Sequence, residues 1–167
     1  PILMNHPILR IAAHPPLSSS SCLLKLYLYE ADSDRNTAIL RRQTTPVTTS
    51  ILGETEFAFA VARREADGSI GAGAAGERIQ LFQRHCGEGR IQLAGLAPGI
   101  RELAASLARR FHLEENPSLP LRTLDGLHLA TALVHRSRRF VTVCDNWVSN
   151  RAASVQSVVF LRPGYHR

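Results

Sequence analysis

Long apolar runs are absent from this chain, and with them any stretch near the roughly 20 residues that a membrane-spanning helix needs. Residues Pro1 to Pro16 also lack a basic stretch leading into a sustained apolar one, so a secretory signal is not expected there. Cysteine is scarce: Cys22, Cys86 and Cys144 show neither CxxC pairing nor the His spacing of a zinc site. That excludes a zinc-organised module and suits buried or incidental thiols in a reducing compartment, so a cytoplasmic protein is the expectation. Acidic residues are the minority charge, with 14 Asp+Glu against 20 Lys+Arg and a net charge of +6, which favours polyanionic partners such as RNA, DNA or an acidic protein. No repeat with a period of roughly 20 to 50 residues is evident, which argues against a solenoid.

What is present suits one globular domain. A chain of 167 residues with 44% hydrophobic content can bury a core without staples. Cys22 to Tyr29 and Ser33 to Arg42 read as helices, the second with a cap at Asp32 or Ser33. Pro46 interrupts, Val47 to Thr49 reads as a short strand, and Ile51 to Arg64 as a helix with Ile51, Thr55, Ala58 and Ala62 on one face. Glu77 to Cys86 and Pro98 to His112 are two further helices, with Pro98 near the favoured first turn. Ile91 to Leu96 is either a short strand or an extended linker. Leu113 to Leu121 is a loop; an Asn146 to Ala153 helix and a Val158 to Leu161 strand end the pattern. Gly71 to Gly76 matches GxGxxG by letters, but polar, turn-like residues precede it where a phosphate-cradling loop needs a strand. An inter-helix loop is expected.

The segment Leu121-Arg122-Thr123-Leu124-Asp125-Gly126-Leu127-His128-Leu129-Ala130-Thr131-Ala132-Leu133 carries the most information. Asp125, His128, Leu129, Ala132 and Leu133 recur at helical spacing and share one face, and the remaining positions are mostly apolar, so a largely buried helix is expected. After the basic turn Arg136 to Arg139, Phe140 to Val143 reads as a buried strand, with Asp145 at its carboxyl end. His128 is expected to pack beside Asp125, and His135 to tip into solvent. Arg136, Arg138, Arg139, Arg162 and Arg167 read as a solvated face, with RNA phosphate contact the alternative. Strands alternating with helices imply an α/β/α sandwich around a mainly parallel sheet, whose functional crevice lies at the strands' carboxyl ends.

This stretch, with Phe140-Val141-Thr142-Val143-Cys144-Asp145 after it, resembles the C-terminal half of PIN domains, the nuclease fold of the VapC toxins of toxin–antitoxin pairs. Thr48-Thr49-Ser50-Ile51-Leu52-Gly53-Glu54-Thr55-Glu56 is similar to the same family's segment carrying a metal-site glutamate, matched by Glu56; Glu54 projects from another helix face. Ser19-Ser20-Ser21-Cys22-Leu23-Leu24-Lys25-Leu26-Tyr27 resembles the family's opening segment, with Ser19 standing where its first aspartate would be. Two departures follow: that carboxylate is missing, and one extra residue separates Thr142 from Asp145.

The resemblance covers Ser19 to Pro163 and implies a three-layer PIN-like domain over 19–163, with an atypical segment 1–18 before it and a tail 164–167. It implies an endoribonuclease that uses Glu56, Asp125 and Asp145 to hold Mg²⁺ or Mn²⁺ for hydrolysis of RNA phosphodiesters. Ser20 or Ser21 and Thr142 would support the site. A small antitoxin would dock over Leu23, Leu26, Tyr27 and Phe57, and a homodimer is a further expectation. The rival reading is an inactive PIN module that binds an antitoxin or RNA, favoured by Ser19. Pro15 and Pro16 stand where the first central strand should end, and proline cannot donate to a ladder, so that strand is expected to be absent or replaced, a reading-frame slip being one account.

Overall fold

The computed structural model describes residues 15–30, 33–41, 45–115, 121–137, 139–142 and 157–160. In chain order the elements are β1 (Leu17–Ser18), α1 (Ser20–Tyr27), α2 (Ser33–Arg41), β2 (Val47–Ser50), α3 (Ile51–Ala66), α4 (Ala74–Gly87), β3 (Ile91–Ala94), α5 (Ile100–Arg109), a π-helical extension Arg110–Glu115, α6 (Thr123–Val134), β4 (Arg139–Thr142) and β5 (Ser157–Phe160). The strands form one sheet in the order β3-β2-β1-β4-β5. The first four run parallel and β5 pairs antiparallel with β4. Helices flank the sheet, giving the expected three-layer α/β/α arrangement.

Two apolar layers explain why the chain folds this way. On one face, Leu23, Leu28, Phe57, Val61, Phe82 and Ile91 pack together, drawing α1, α3 and α4 onto β3. Tyr27 meets Phe57 edge-on at 4.9 Å, and Phe57 stacks on Phe82 at 4.8 Å, so three helices share one aromatic cluster. On the other face, Leu17, Ala94, Ile100, Leu107, Leu129, Ala130 and Phe140 bury α5 and α6 against the strands. Alternation along β3 sends Ile91 to the first layer and Ala94 to the second, which settles the Ile91 to Leu96 alternatives in favour of a strand in register with β2.

The strand expected to be missing is present, cut to two residues. Leu17 pairs with Thr48 on one side and Phe140 on the other, and Ser18 pairs with Val141. Pro15 and Pro16 cannot supply ladder N–H groups, so pairing starts only after them. Side chains compensate: the Ser137 hydroxyl donates to the Pro15 carbonyl at 3.0 Å, and the Thr49 hydroxyl donates to the Ser18 carbonyl at 2.9 Å.

One helix face is now assigned and two further expectations are corrected. The buried face of α3 is Gly53, Phe57 and Val61, whereas Ile51, Thr55 and Ala62 are exposed and Ala58 is half-buried; helical spacing identified the helix but the small and polar residues marked its outer side. Helix α4 begins at Ala74, inside the expected Gly71 to Gly76 loop, because Gly73 adopts φ 83° as its N-cap and the Glu65 carboxylate accepts the Ala75 N–H at 2.7 Å. Leu113 to Glu115, expected as loop, continue as π-helix, while His112 Nε2 lies 3.0 Å from the Leu121 carbonyl. The expected Asn146 to Ala153 helix lies outside the described residues. Among those described, no helix is long and apolar enough to cross a membrane.

Candidate functional site

The chain turns sharply where two parallel strands end, and each turn delivers polar side chains to the same place. Strand β1 ends at Ser18; Ser19 then N-caps α1 with extended backbone, its N–H donating to the Val141 carbonyl at 2.8 Å. Strand β2 ends at Ser50, which N-caps α3 in the same conformation. Neither serine uses its hydroxyl as the usual cap acceptor. Ser19 Oγ instead lies 2.8 Å from Ser21 Oγ, and Ser50 Oγ lies 2.7 Å from His128 Nδ1.

Helix α3 places Glu56 in this crevice, and α6 brings Asp125 in from the other side. Asp125 sits in the first turn of α6, where unpaired N–H groups favour a carboxylate, and the Arg122 N–H bonds to it in the manner of half a capping box. The carboxylate in the capping position is therefore also one that faces the cavity. Glu56 and Asp125 line one cavity of about 670 Å³ with Ser20, Ser21, Arg63 and Arg122. Two of the three expected carboxylates are thus together, although far apart in sequence. Asp145 lies outside the described residues.

His128 organises the pocket from beneath. Only 1% of it is exposed, and its Nε2 bonds to Glu56 Oε2 while Nδ1 faces the Ser50 hydroxyl. An ionised carboxylate can only accept, so Nε2 carries a proton and the ring is fixed in orientation. Burial works to raise the Glu56 pKa, but the hydrogen bond and charge of His128 and a hydrogen bond from Ser20 outweigh it and hold the carboxyl below its ordinary range. Asp125 goes the other way. Burial pushes it up, the charge of Glu56 adds to that, and the opposing influences of His128 and Arg122 do not restore it. Two neighbouring acids pushed apart in this manner form a site poised for a cation or a proton.

Ser20 bonds to Glu56. Thr142 is fully buried at the end of β4 and is not among the described residues lining the cavity. Leu23 and Phe57, expected on a docking face, are corrected to core residues; Leu26 and Tyr27 keep partial exposure. His135 is exposed as expected, with Nε2 2.9 Å from the Gly95 carbonyl. Arg136 follows the far end of α6, about 16 Å from Asp125 by helical rise. The cations beside the carboxylates are instead Arg63 and Arg122, neither of which stood out in the sequence. The grip of His128 on Glu56 was also missed; its place three residues after Asp125 was the available signal.

A hard divalent cation takes oxygen donors, and Mg²⁺ is commonly held by one or two carboxylates with water and substrate oxygens completing the shell. Glu56 and Asp125 fit that chemistry in kind. Among the described residues no group of three or more His, Cys, Asp or Glu could hold a metal ion. No family model matches the chain, and no curated protein matches it.

Proposed function

We propose that this chain is a PIN-like, VapC-type ribonuclease whose site, written with Ser19 in place of an aspartate, hydrolyses RNA phosphodiesters weakly. The observation that carries this reading is the convergence of Glu56 and Asp125 in one cavity at the carboxyl ends of parallel strands, with Ser20 bonded to Glu56. The sequence resemblance assigns roles to those residues, and the crevice of a parallel sheet is where such roles are exercised.

Glu56 and Asp125, with Asp145, would hold Mg²⁺ or Mn²⁺, which when bound lowers the pKa of a water and offsets charge on the phosphoryl oxygens. The chain's own groups prepare the site. His128 and Ser20 keep Glu56 ionised and fix its orientation. Asp125 has its ionisation opposed by burial and by Glu56, and a cation between the two reverses that opposition. The Ser19 hydroxyl is neutral, 2% exposed and bonded to Ser21, so it contributes no charge to the dehydration of a cation.

That same serine favours the second reading, an inactive module of this fold that binds RNA or a small antitoxin protein. One experiment separates them. Purified protein is incubated with single-stranded RNA and Mn²⁺ or Mg²⁺, alongside Ser19→Asp, Glu56→Ala and Asp125→Ala. Because β1 is present up to Ser18, restoring one carboxylate is expected to suffice, with Ser19→Asp raising cleavage at least about tenfold, the scale of a single lost charge-stabilising interaction. The two alanine variants are expected to abolish it. Absence of cleavage by both parent and Ser19→Asp, with no rise in melting temperature on adding Mn²⁺, would refute the nuclease reading.

A further inference from the structure

The cavity that holds Glu56 and Asp125 has a second set of groups on its rim. Phe59 lies one helical turn beyond Glu56 on α3 and is 75% exposed. Arg63 follows at the next turn, four residues after Phe59, so Glu56, Phe59 and Arg63 run along one face of the helix. Arg122 stands across the cavity at the start of α6. Among the described residues neither guanidinium is engaged in a salt bridge, in contrast to Arg64, Arg90 and Arg101.

Exposing a phenylalanine ring to water is unfavourable, and this ring sits between a carboxylate pocket and an exposed cation. An aromatic surface next to guanidinium groups is the combination that holds single-stranded nucleic acid: every base has a π-face to stack, and phosphates follow at the spacing of the arginines. An apolar peptide helix would cover Phe59 but offer no phosphate or carboxylate to the two exposed guanidinium groups. We infer that Phe59, Arg63 and Arg122 form the substrate groove of the site, with Phe59 stacking one base of a single-stranded RNA and the two arginines holding the phosphates on either side of the carboxylates. The inference rests on the nuclease reading for the identity of the ligand, and it assigns positioning to three residues that the resemblance does not.

The test is binding without cleavage. A fluorescein-labelled single-stranded oligoribonucleotide of mixed sequence is titrated with the full chain in EDTA at several salt concentrations, followed by anisotropy. Phe59→Ala is expected to weaken binding about tenfold at an unchanged salt slope, since stacking on an aromatic ring contributes on that scale. Phe59→Trp is expected to restore affinity and Phe59→Leu is not. Arg63→Ala and Arg122→Ala are each expected to weaken binding and to flatten the slope of log K against log salt by about 0.7, the loss of one phosphate contact on a single strand. Arg101→Ala, an exposed cation on α5, serves as the control and is expected to leave both unchanged. All these positions are exposed, so each variant is expected to melt within about 2 °C of the parent.

RNA binding by the parent that is indifferent to Phe59, Arg63 and Arg122 would overturn the inference and leave the nuclease reading standing. Full affinity in Phe59→Leu, or a face that takes up an amphipathic peptide and no RNA, would overturn it as well. Groove-dependent binding by a chain that cleaves nothing even as Ser19→Asp would remove the nuclease reading and leave the groove.

Discussion

Gly53→Ala is expected to destabilise the protein even though alanine is the better helix former. A Cβ at residue 53 would stand 2.5 Å from the Thr49 hydroxyl oxygen, closer than such atoms approach one another, and 3.3 Å from its methyl carbon, a tight contact. Thr49 is fully buried, and its hydroxyl donates at 2.9 Å to the carbonyl of Ser18 in β1. To admit the methyl group, Thr49 must rotate and give up that bond, leaving a buried donor and acceptor unpaired at a cost of about 1 to 3 kcal/mol. Against this stands a gain in helix propensity of at most about 1 kcal/mol. At the middle of these ranges the net expectation is a loss of about 1 kcal/mol, or roughly 2 to 4 °C in melting temperature for a domain of this size. Urea unfolding of a four-member cycle, parent, Gly53→Ala, Thr49→Ala and the double variant, measures it. In the Thr49→Ala background the glycine substitution is expected to become neutral or stabilising, giving a coupling of at least about 1 kcal/mol. Equal destabilisation in both backgrounds, or a Gly53→Ala protein as stable as the parent, would refute the reasoning.

Asp125 has a pKa raised by burial, so its contribution to stability is greatest below the unfolded carboxylate range and is lost as pH rises through the folded value. Asp125→Asn is therefore expected to melt higher than the metal-free parent at neutral pH, with the gap closing as the buffer is made acidic; a gap that widens in acid would contradict this. Glu56 has the opposite sign: its lowered pKa contributes stability above the unfolded range that is lost in acid, and Glu56→Gln is expected to flatten that acid limb of a melting-temperature profile. His128→Leu leaves the buried Ser50 hydroxyl and the Glu56 carboxylate without their shared partner, and a loss of about 2 to 4 kcal/mol is expected by chemical denaturation. The buried Thr48 hydroxyl has no hydrogen-bond partner among the described residues, so Thr48→Val is expected to raise stability by about 1 kcal/mol in the same assay.

Helix α6 was legible from the sequence because its apolar positions at helical spacing are numerous enough to override any local ambiguity, and burial of His128, Leu129 and Ala132 follows from that pattern. The parallel sheet was legible from strands alternating with helices. Strand β1 was not: two prolines erased its pattern, and only pairing on both sides with β2 and β4 sustains so short a segment. The inward face of α3 was not assigned from the sequence, because alanine and threonine suit either side of a helix, and Phe57 and Val61 settle the matter only once α1 and α4 are in place. At the site, the resemblance to PIN segments singled out Glu56 and Asp125, which line one cavity. The bond between His128 and Glu56 joins segments whose meeting no local spacing encodes, and the rim position of Arg63 depends on where α6 begins.

The brevity of β1 sets an order of events in folding. Strands β4 and β5 are separated in sequence by residues 143–156, and α3 and α4 lead from β2 to β3, so each half of the sheet forms by comparatively local closure. Joining Leu17 to Phe140 closes a loop several-fold longer than the one between β4 and β5, and each doubling of loop length adds about 0.6 kcal/mol of entropy to overcome. Two residues of ladder return little against that cost until Leu17 is buried between the halves. Strand β1 reaches β2 across the modest stretch from Leu17 to Thr48, so it is the pairing of β1 with β4 that is expected late, joining the two halves of the sheet. Ser20 and Glu56 belong to the helices that follow β1 and β2, whereas Asp125 belongs to α6, which leads into β4, so the pocket gains its second carboxylate as the sheet becomes continuous.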